Sequence, residues 1–313
     1  MKRTIYLGIC AVVLIAFLGS AVAGEMLGRG VLHPIVRPLT PSSIQASKRV
    51  LQTVGATPED FDVKAPDGAP LRGWKVRAPG TSGDWVLLFH GVSDNRTGMT
   101  GQAELLLRHG YSVIMMDARA HGESGGNMAT YGWLERRDAH AIVDALNSTE
   151  TPRNLFALGS SMGAAIALQA AAIEPRITGV VAESSFSDLR EVTFDYAGLH
   201  WSPLLGETLF RPSTWTVISS AQKEGGFSID EVSPEKSARA RPFPVLLICD
   251  GSDRIIPCRH TRRIFNAATG PKELWEVPGA GHASAIGAEA AEYGRRVITF
   301  LDKFRRGATT SND

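Results

Sequence analysis

The sequence predicts an α/β architecture: a mostly parallel sheet of eight strands with helices on both faces. Three observations carry that prediction. Short, mainly apolar runs recur between helical stretches, the alternation that builds parallel sheets. Two alternating segments, joined by Pro66-Asp67-Gly68, precede them and read as an antiparallel hairpin at one sheet edge. The third is Gly159-Ser160-Ser161-Met162-Gly163, set between the apolar run Leu155–Leu158 and the helix-forming Ala164–Ala172. That juxtaposition demands a sharp strand-to-helix turn.

Residues 1–24 begin with Lys2 and Arg3, continue without charge from Thr4, and end near the small-x-small sequence Ala21-Val22-Ala23. This is the pattern of an export signal. The stretch also approaches the about 20 apolar residues that span a bilayer. Two outcomes follow: cleavage near Ala23, giving a periplasmic or secreted protein, or a retained membrane anchor. The anchor is slightly preferred, with Lys2 and Arg3 in the cytoplasm and the body outside it. Cys10 then reads as a membrane-buried apolar residue rather than a lipidation site.

Residues 25–55 are expected to be a Pro- and Gly-containing tether followed by a leading helix, Ile44–Leu51. The main domain, 56–306, opens with the hairpin strands Asp60–Lys64 and Leu71–Arg77. Six apolar strands follow: Val86–Phe89, Ser112–Met116, Leu155–Leu158, Gly179–Ala182, Val245–Cys249 and Leu274–Val277. Helical patterns alternate with them at Gly101–Arg108, Leu134–Leu146, Met162–Ala172, Thr261–Ala267 and Ala288–Phe304. The interval 189–242 breaks the alternation with aromatics among prolines and glycines, and reads as a cap over the strand C-termini. Residues 307–313 read as a flexible tail.

Composition narrows the function classes. The 43% hydrophobic content suits a globular core, and net charge is +1. Without Lys2 and Arg3, 31 basic residues face 32 acidic ones, so nothing suggests a nucleic-acid partner. No Cys and His spacing resembles a metal site. Cys249 reads as a small buried hydrophobe and Cys258 as a loop residue; a disulfide between them is not expected, because such neighbours rarely point together.

Ser161 sits where a nucleophile would be lifted to the top of the sheet, framed by glycines because larger side chains would collide. The Met162 amide, at a helix N-terminus, suits a developing oxyanion. A serine hydroxyl needs a base. His282 follows the last strand and the small-residue loop Pro278-Gly279-Ala280-Gly281, on the sheet edge that carries Ser161. Its imidazole needs a carboxylate. Asp253, further into the loop after its strand, is read as that acid, and Asp250 as a turn cap. His90-Gly91-Val92 follows another strand: Gly91 lets the backbone approach substrate, the Val92 amide is the second oxyanion donor, and His90 supports the loop. Asp117 and Arg119 are expected to brace neighbouring loops, with His121 packed beside them. Glu183, Ser184 and Ser185 are candidates for lining the pocket, and His200 for touching substrate from the cap.

Several motifs together give the chain its likeness: His90-Gly91, Asp117-x-Arg119-x-His121-Gly122-x-Ser124, the Ser161 elbow, Gly251-x-Asp253-x-x-Ile256-Pro257 and Gly281-His282. With Ser161, Asp253 and His282 in that order, it resembles the α/β-hydrolase superfamily. It is most similar to Bem46-like serine hydrolases, related to monoacylglycerol lipase and lysophospholipase-like members. The resemblance spans about Asp60 to Phe304. It implies the α/β-hydrolase fold and a Ser-His-Asp hydrolase acting through an acyl-enzyme on small or lipid-like esters, with no metal or organic cofactor. A peptidase or amidase using the same triad is the alternative, and a non-catalytic binding module a more distant one. Ser161 disfavours haloalkane dehalogenase chemistry, whose nucleophile is Asp, and a prolyl-peptidase reading lacks the large accessory domain.

Overall fold

The computed structural model describes residues 30–80, 83–198, 202–208 and 210–305, with isolated positions before residue 30. Apart from those positions, the expected export segment 1–24 lies outside the described residues, as do the tail 307–313, His200 and Trp201. No helix among the described residues is long and apolar enough to cross a membrane.

A leading helix α1 (Pro41–Thr53) precedes the hairpin β1 (Pro58–Lys64) and β2 (Pro70–Val76). Then come β3 (Asp84–Phe89), α2 (Thr100–Arg108), β4 (Ser112–Met116), α3 (Glu135–Thr149), β5 (Asn154–Ser160), α4 (Met162–Ile173) and β6 (Ile177–Glu183). Four cap helices follow: α5 (Leu189–Ala197), α6 (Pro203–Glu207), α7 (Arg211–Gly225) and α8 (Pro234–Ala240). The chain closes with β7 (Val245–Asp250), α9 (Cys258–Ala267), β8 (Lys272–Val277), α10 (Ala285–Ala288) and α11 (Ala290–Lys303).

The sheet runs β1-β2-β4-β3-β5-β6-β7-β8. β1 and β2 are antiparallel, β2 meets β4 antiparallel, and the remaining pairs are parallel. The expected eight-stranded α/β sheet is therefore present. Strand alternation divides its core between two faces. On β3, Trp85, Leu87 and Phe89 join the core under α3 and α4, whereas Val86 and Leu88 join the core under α2 and α11. The α4 helix is buried from Met162 to Ala171. Its run of Ala explains how a helix apolar all round fits between strands and cap.

Two expectations are corrected. The segment ahead of α1 is no loose tether: Leu32 is fully buried in a third apolar cluster with Phe186, Leu189, Val192 and Ile218. Its carbonyl accepts from the Ala129 amide at 2.8 Å. Having no periodic pattern, the segment gives no element signal, yet Leu32 is held because the cap offers it an apolar seat. The second correction concerns cysteine. Cys249 and Cys258 form a disulfide, Cα atoms 5.4 Å apart. The intervening loop turns back on itself, with the Asp253 amide donating to the Asp250 carbonyl at 3.0 Å, so the first residue of α9 returns beside the end of β7.

Candidate active site

Ser161 occupies the turn between β5 and α4 with φ 56° and ψ −120°. A non-glycine residue held there stores about 1–3 kcal/mol of strain, which the surroundings must over-determine. They do: its amide donates to the Glu183 carbonyl at 2.8 Å, and its carbonyl accepts from the Ala165 amide at 3.2 Å. Gly159 and Gly163 are required by close approach. A Cβ on Gly159 would strike the Gly163 backbone, and one on Gly163 would strike the Phe89 carbonyl.

The other expected members converge on this turn. His282 Nε2 lies 2.8 Å from Ser161 Oγ, and its Nδ1 lies 2.7 Å from Asp253 Oδ2. Ionised Asp253 only accepts, so Nδ1 carries the imidazole proton and Nε2 is left to accept from the serine hydroxyl. Asp253 Oδ1 accepts from the amides of Ile255 and Ile256 at 2.8 and 2.9 Å. Burial alone would push the Asp253 carboxyl up. The His282 hydrogen bond and charge, the Ile256 amide and the Ser184 hydroxyl outweigh it and hold the group below the usual carboxylate range.

Beneath this line lie two more carboxylates. Ser184 Oγ is 2.7 Å from Asp250 Oδ2 and 2.9 Å from Asp253 Oδ2, so one hydroxyl bridges both acids. Asp250 also accepts from the Ser284 amide at 3.3 Å. It thus reaches further than the turn cap expected of it. Glu183 accepts from Ser160 Oγ at 3.1 Å and from the Ala285 amide at 2.9 Å, linking the elbow to the segment just past His282. Burial, with the Asp250 charge adding to it, pushes the Glu183 carboxyl up to about 7. The expectation that Glu183 and Ser184 line the pocket is corrected: both are buried supports behind the site. Sequence gives their position at a strand end but not their partners, which come from β7 and the His282 loop.

The loop after β3 passes tightly over the elbow; a Cβ built on Gly91 would lie 3.5 Å from Ser161 Cβ. His90 is buried and supports this loop. Its Nδ1 donates to the Gly91 carbonyl at 2.8 Å and its Nε2 accepts from the Ala118 amide at 2.9 Å. Burial pushes its imidazole down to about 3, so it stays neutral. Val92 and Met162 both border the same cavity as Ser161. Asp117 and Arg119 brace loops as expected. Asp117 accepts from the Arg96 guanidinium and from the Glu123 amide, and Arg119 grips Asp138 through two hydrogen bonds of 2.7 Å. His121 packs against His90 and accepts from the Ser93 amide at 3.3 Å.

A cavity of about 390 Å³ opens above Ser161. Phe186, Leu189, Val192 and Tyr196 form its cap side, Tyr131 and Ile256 its flanks, and no charged side chain among the described residues lines it. Burial and the Asp253 charge push the Tyr196 phenol up to about 12. Tyr131 was not singled out by sequence, since an aromatic in a loop carries no spacing signal, and Tyr196, on α5, was read only as one of the aromatics of the cap interval.

A second Ser-His-Asp cluster lies away from the cavity. Ser187 Oγ is 2.8 Å from His260 Nδ1, and His260 Nε2 is 2.7 Å from Asp195 Oδ2. Ser187 and His260 are both fully buried. The cluster ties α5 of the cap to α9 and the end of β6. Among the described residues no group of His, Cys, Asp and Glu is arranged to hold a metal ion.

The family model described as serine aminopeptidase, S33 (Hydrolase_4), matches residues 82–216. The chain is 30% identical over 226 residues to an uncharacterized protein, Rv2307c, of Mycobacterium tuberculosis, covering 71% of this chain and 72% of that protein. To the uncharacterized protein YqkD of Bacillus subtilis it is 29% identical over 247 residues, covering 77% and 78%. Among solved structures, the Pyrococcus furiosus esterase Pf2001 superposes with a TM-score of 0.67 at 24% identity, covering 82% of this chain and 94% of that one. Eight strands in this order, a strained serine at the β5–α4 turn and these relatives agree: the chain belongs to the α/β-hydrolase superfamily, as a serine hydrolase.

Proposed function

We propose that the protein hydrolyses carboxylic esters with an apolar acyl group, through an acyl-enzyme on Ser161. The observation that carries this reading is the continuous Ser161–His282–Asp253 hydrogen-bonded line at the floor of an apolar cavity. In this mechanism His282 Nε2 takes the Ser161 proton as Oγ attacks the ester carbonyl, and Asp253 stabilises the imidazolium. The amides of Val92 and Met162 donate to the oxyanion as charge develops there. His282 then returns the proton to the departing alcohol oxygen. Water, activated by the same imidazole, releases the acid. The likeness to an esterase supports this choice of bond. The finer kinship with Bem46-like enzymes belongs to the same proposal, as does export of the domain, either anchored in a membrane by residues 1–24 or freed by cleavage near Ala23.

A second reading, peptide or amide hydrolysis, is favoured by the aminopeptidase description of the matching family. An aminopeptidase must seat a free ammonium, for which the described residues lining the cavity offer no carboxylate. The test is substitution of Ser161 by Ala in folded protein. Turnover of p-nitrophenyl butyrate should fall by at least about a thousandfold, and labelling by a fluorophosphonate should vanish. Retention of both would overturn the assignment. Faster hydrolysis of a matched anilide than of the ester would replace it with the second reading.

A further inference from the structure

The segment ahead of α1 reaches the cavity from outside the hydrolase body. Val31, Pro34 and Ile35 border the same space as Ser161 and Met162. They are held there at several points. The Tyr131 hydroxyl donates to the Val31 carbonyl at 2.7 Å, and the Ala129 amide to the Leu32 carbonyl at 2.8 Å. Beyond them, the Arg37 amide donates to the Ser93 carbonyl at 2.9 Å, and Asn95 Nδ2 to the Arg37 carbonyl at 3.3 Å. On the cap side His33 meets Glu224 of α7 at 2.7 Å. The strap thus joins the loop that carries Val92, the loop that carries Tyr131 and the cap itself.

Its side chains divide the work. Leu32 points into the cap core and fixes the strap, while Val31 is half-buried against the cavity. Ile35 is 92% exposed although it borders the cavity, so it stands at the rim where a long chain would emerge. An exposed isoleucine costs the free protein favourable burial that an apolar ligand would restore.

We propose that Val31, Pro34 and Ile35 are the specificity-determining wall of this site, setting how long an acyl chain it accepts. The inference rests on Ser161 being the nucleophile of an ester hydrolase. Val31 limits the depth available beside Tyr131, Pro34 stiffens the strap, and Ile35 extends the apolar track outward for the distal part of a longer chain.

The test compares kcat/KM for p-nitrophenyl acetate, octanoate and laurate in wild type, Val31→Trp, Val31→Ala and Ile35→Asp, with thermal unfolding of each variant as the check on folding. Val31→Trp should lower the octanoate-to-acetate ratio by about tenfold or more, the scale of a methylene misfit in an apolar pocket. Val31→Ala should raise the laurate-to-octanoate ratio, and Ile35→Asp should lower it. Opposite shifts from the two Val31 variants cannot come from a general loss of fold, and Val31→Ala carries the test if the tryptophan variant does not fold. Ratios unchanged across folded variants would overturn the inference while leaving the ester reading standing. Retained turnover in Ser161→Ala would overturn that reading, and this inference with it.

Discussion

Glu183 ends β6 and His90 directly follows β3, the two strands that flank β5, and they titrate in opposite senses. Glu183 is pushed up to about 7 from an ordinary value of 4.5, so the folded protein binds more protons there than the unfolded chain does. That stability is present below pH 4.5 and lost as pH rises toward 7. His90 is pushed down to about 3 from 6.5, so its contribution is lost as pH falls from 6.5 toward 3. Between pH 4.5 and 6.5 the two slopes, each about 1.4 kcal/mol per pH unit, cancel. Glu183→Gln should leave the His90 slope unopposed. Relative to wild type, the variant's unfolding free energy in urea should rise by roughly 3 kcal/mol across that window. Parallel pH curves for the two proteins would refute the account. Other buried acids, such as Asp138, raised to about 6 chiefly by burial, are common to both proteins and drop out of the difference. At this scale sequence goes only part of the way. Ser161, Asp253 and His282 are readable because each lies within a few residues of the end of an apolar strand, inside a local motif. Ser184 is not, since its role exists only where β6 sets it between two acids of another strand's loop.

The disulfide brackets the loop that carries Asp253, closing nine residues of sequence separation around it. Cross-linking a loop of this size contributes about 2–3 kcal/mol by restricting the unfolded chain. A Cys249→Ser, Cys258→Ser double variant should lose stability on that scale in denaturant. It should also lower kcat, because Asp253 would be held less firmly against His282, and raise KM to a smaller degree through Ile256, which lies in the same loop and flanks the cavity. A variant with wild-type kcat would detach the clamp from the acid. The core strands and helices were legible in the sequence to within a few residues, because fully buried parallel strands read as continuous apolar runs. The strap and the disulfide were not. Neither rests on periodicity, and both depend on which distant surface folds back against them.

Across the whole molecule, Ser187–His260–Asp195 and Ser161–His282–Asp253 contain the same three residue types at similar distances. Their settings differ. Ser161 stands on a strained turn beside a cavity and a helix N-terminus, whereas Ser187 is sealed within the packing that joins cap to body. Ser187→Ala should therefore keep fluorophosphonate labelling at its wild-type extent and lower the unfolding temperature by a few degrees, in keeping with about 1 kcal/mol for a lost buried hydrogen bond. Loss of labelling would give that cluster a part in the chemistry. Ser161 and His282 are separated by 121 residues, and the line between them needs β5, β7 and β8 already aligned. Contacts of such separation form late, after helices and local turns have closed. During refolding, labelling of Ser161 should lag the recovery of far-ultraviolet helix signal, making the serine a clock for the last step of assembly.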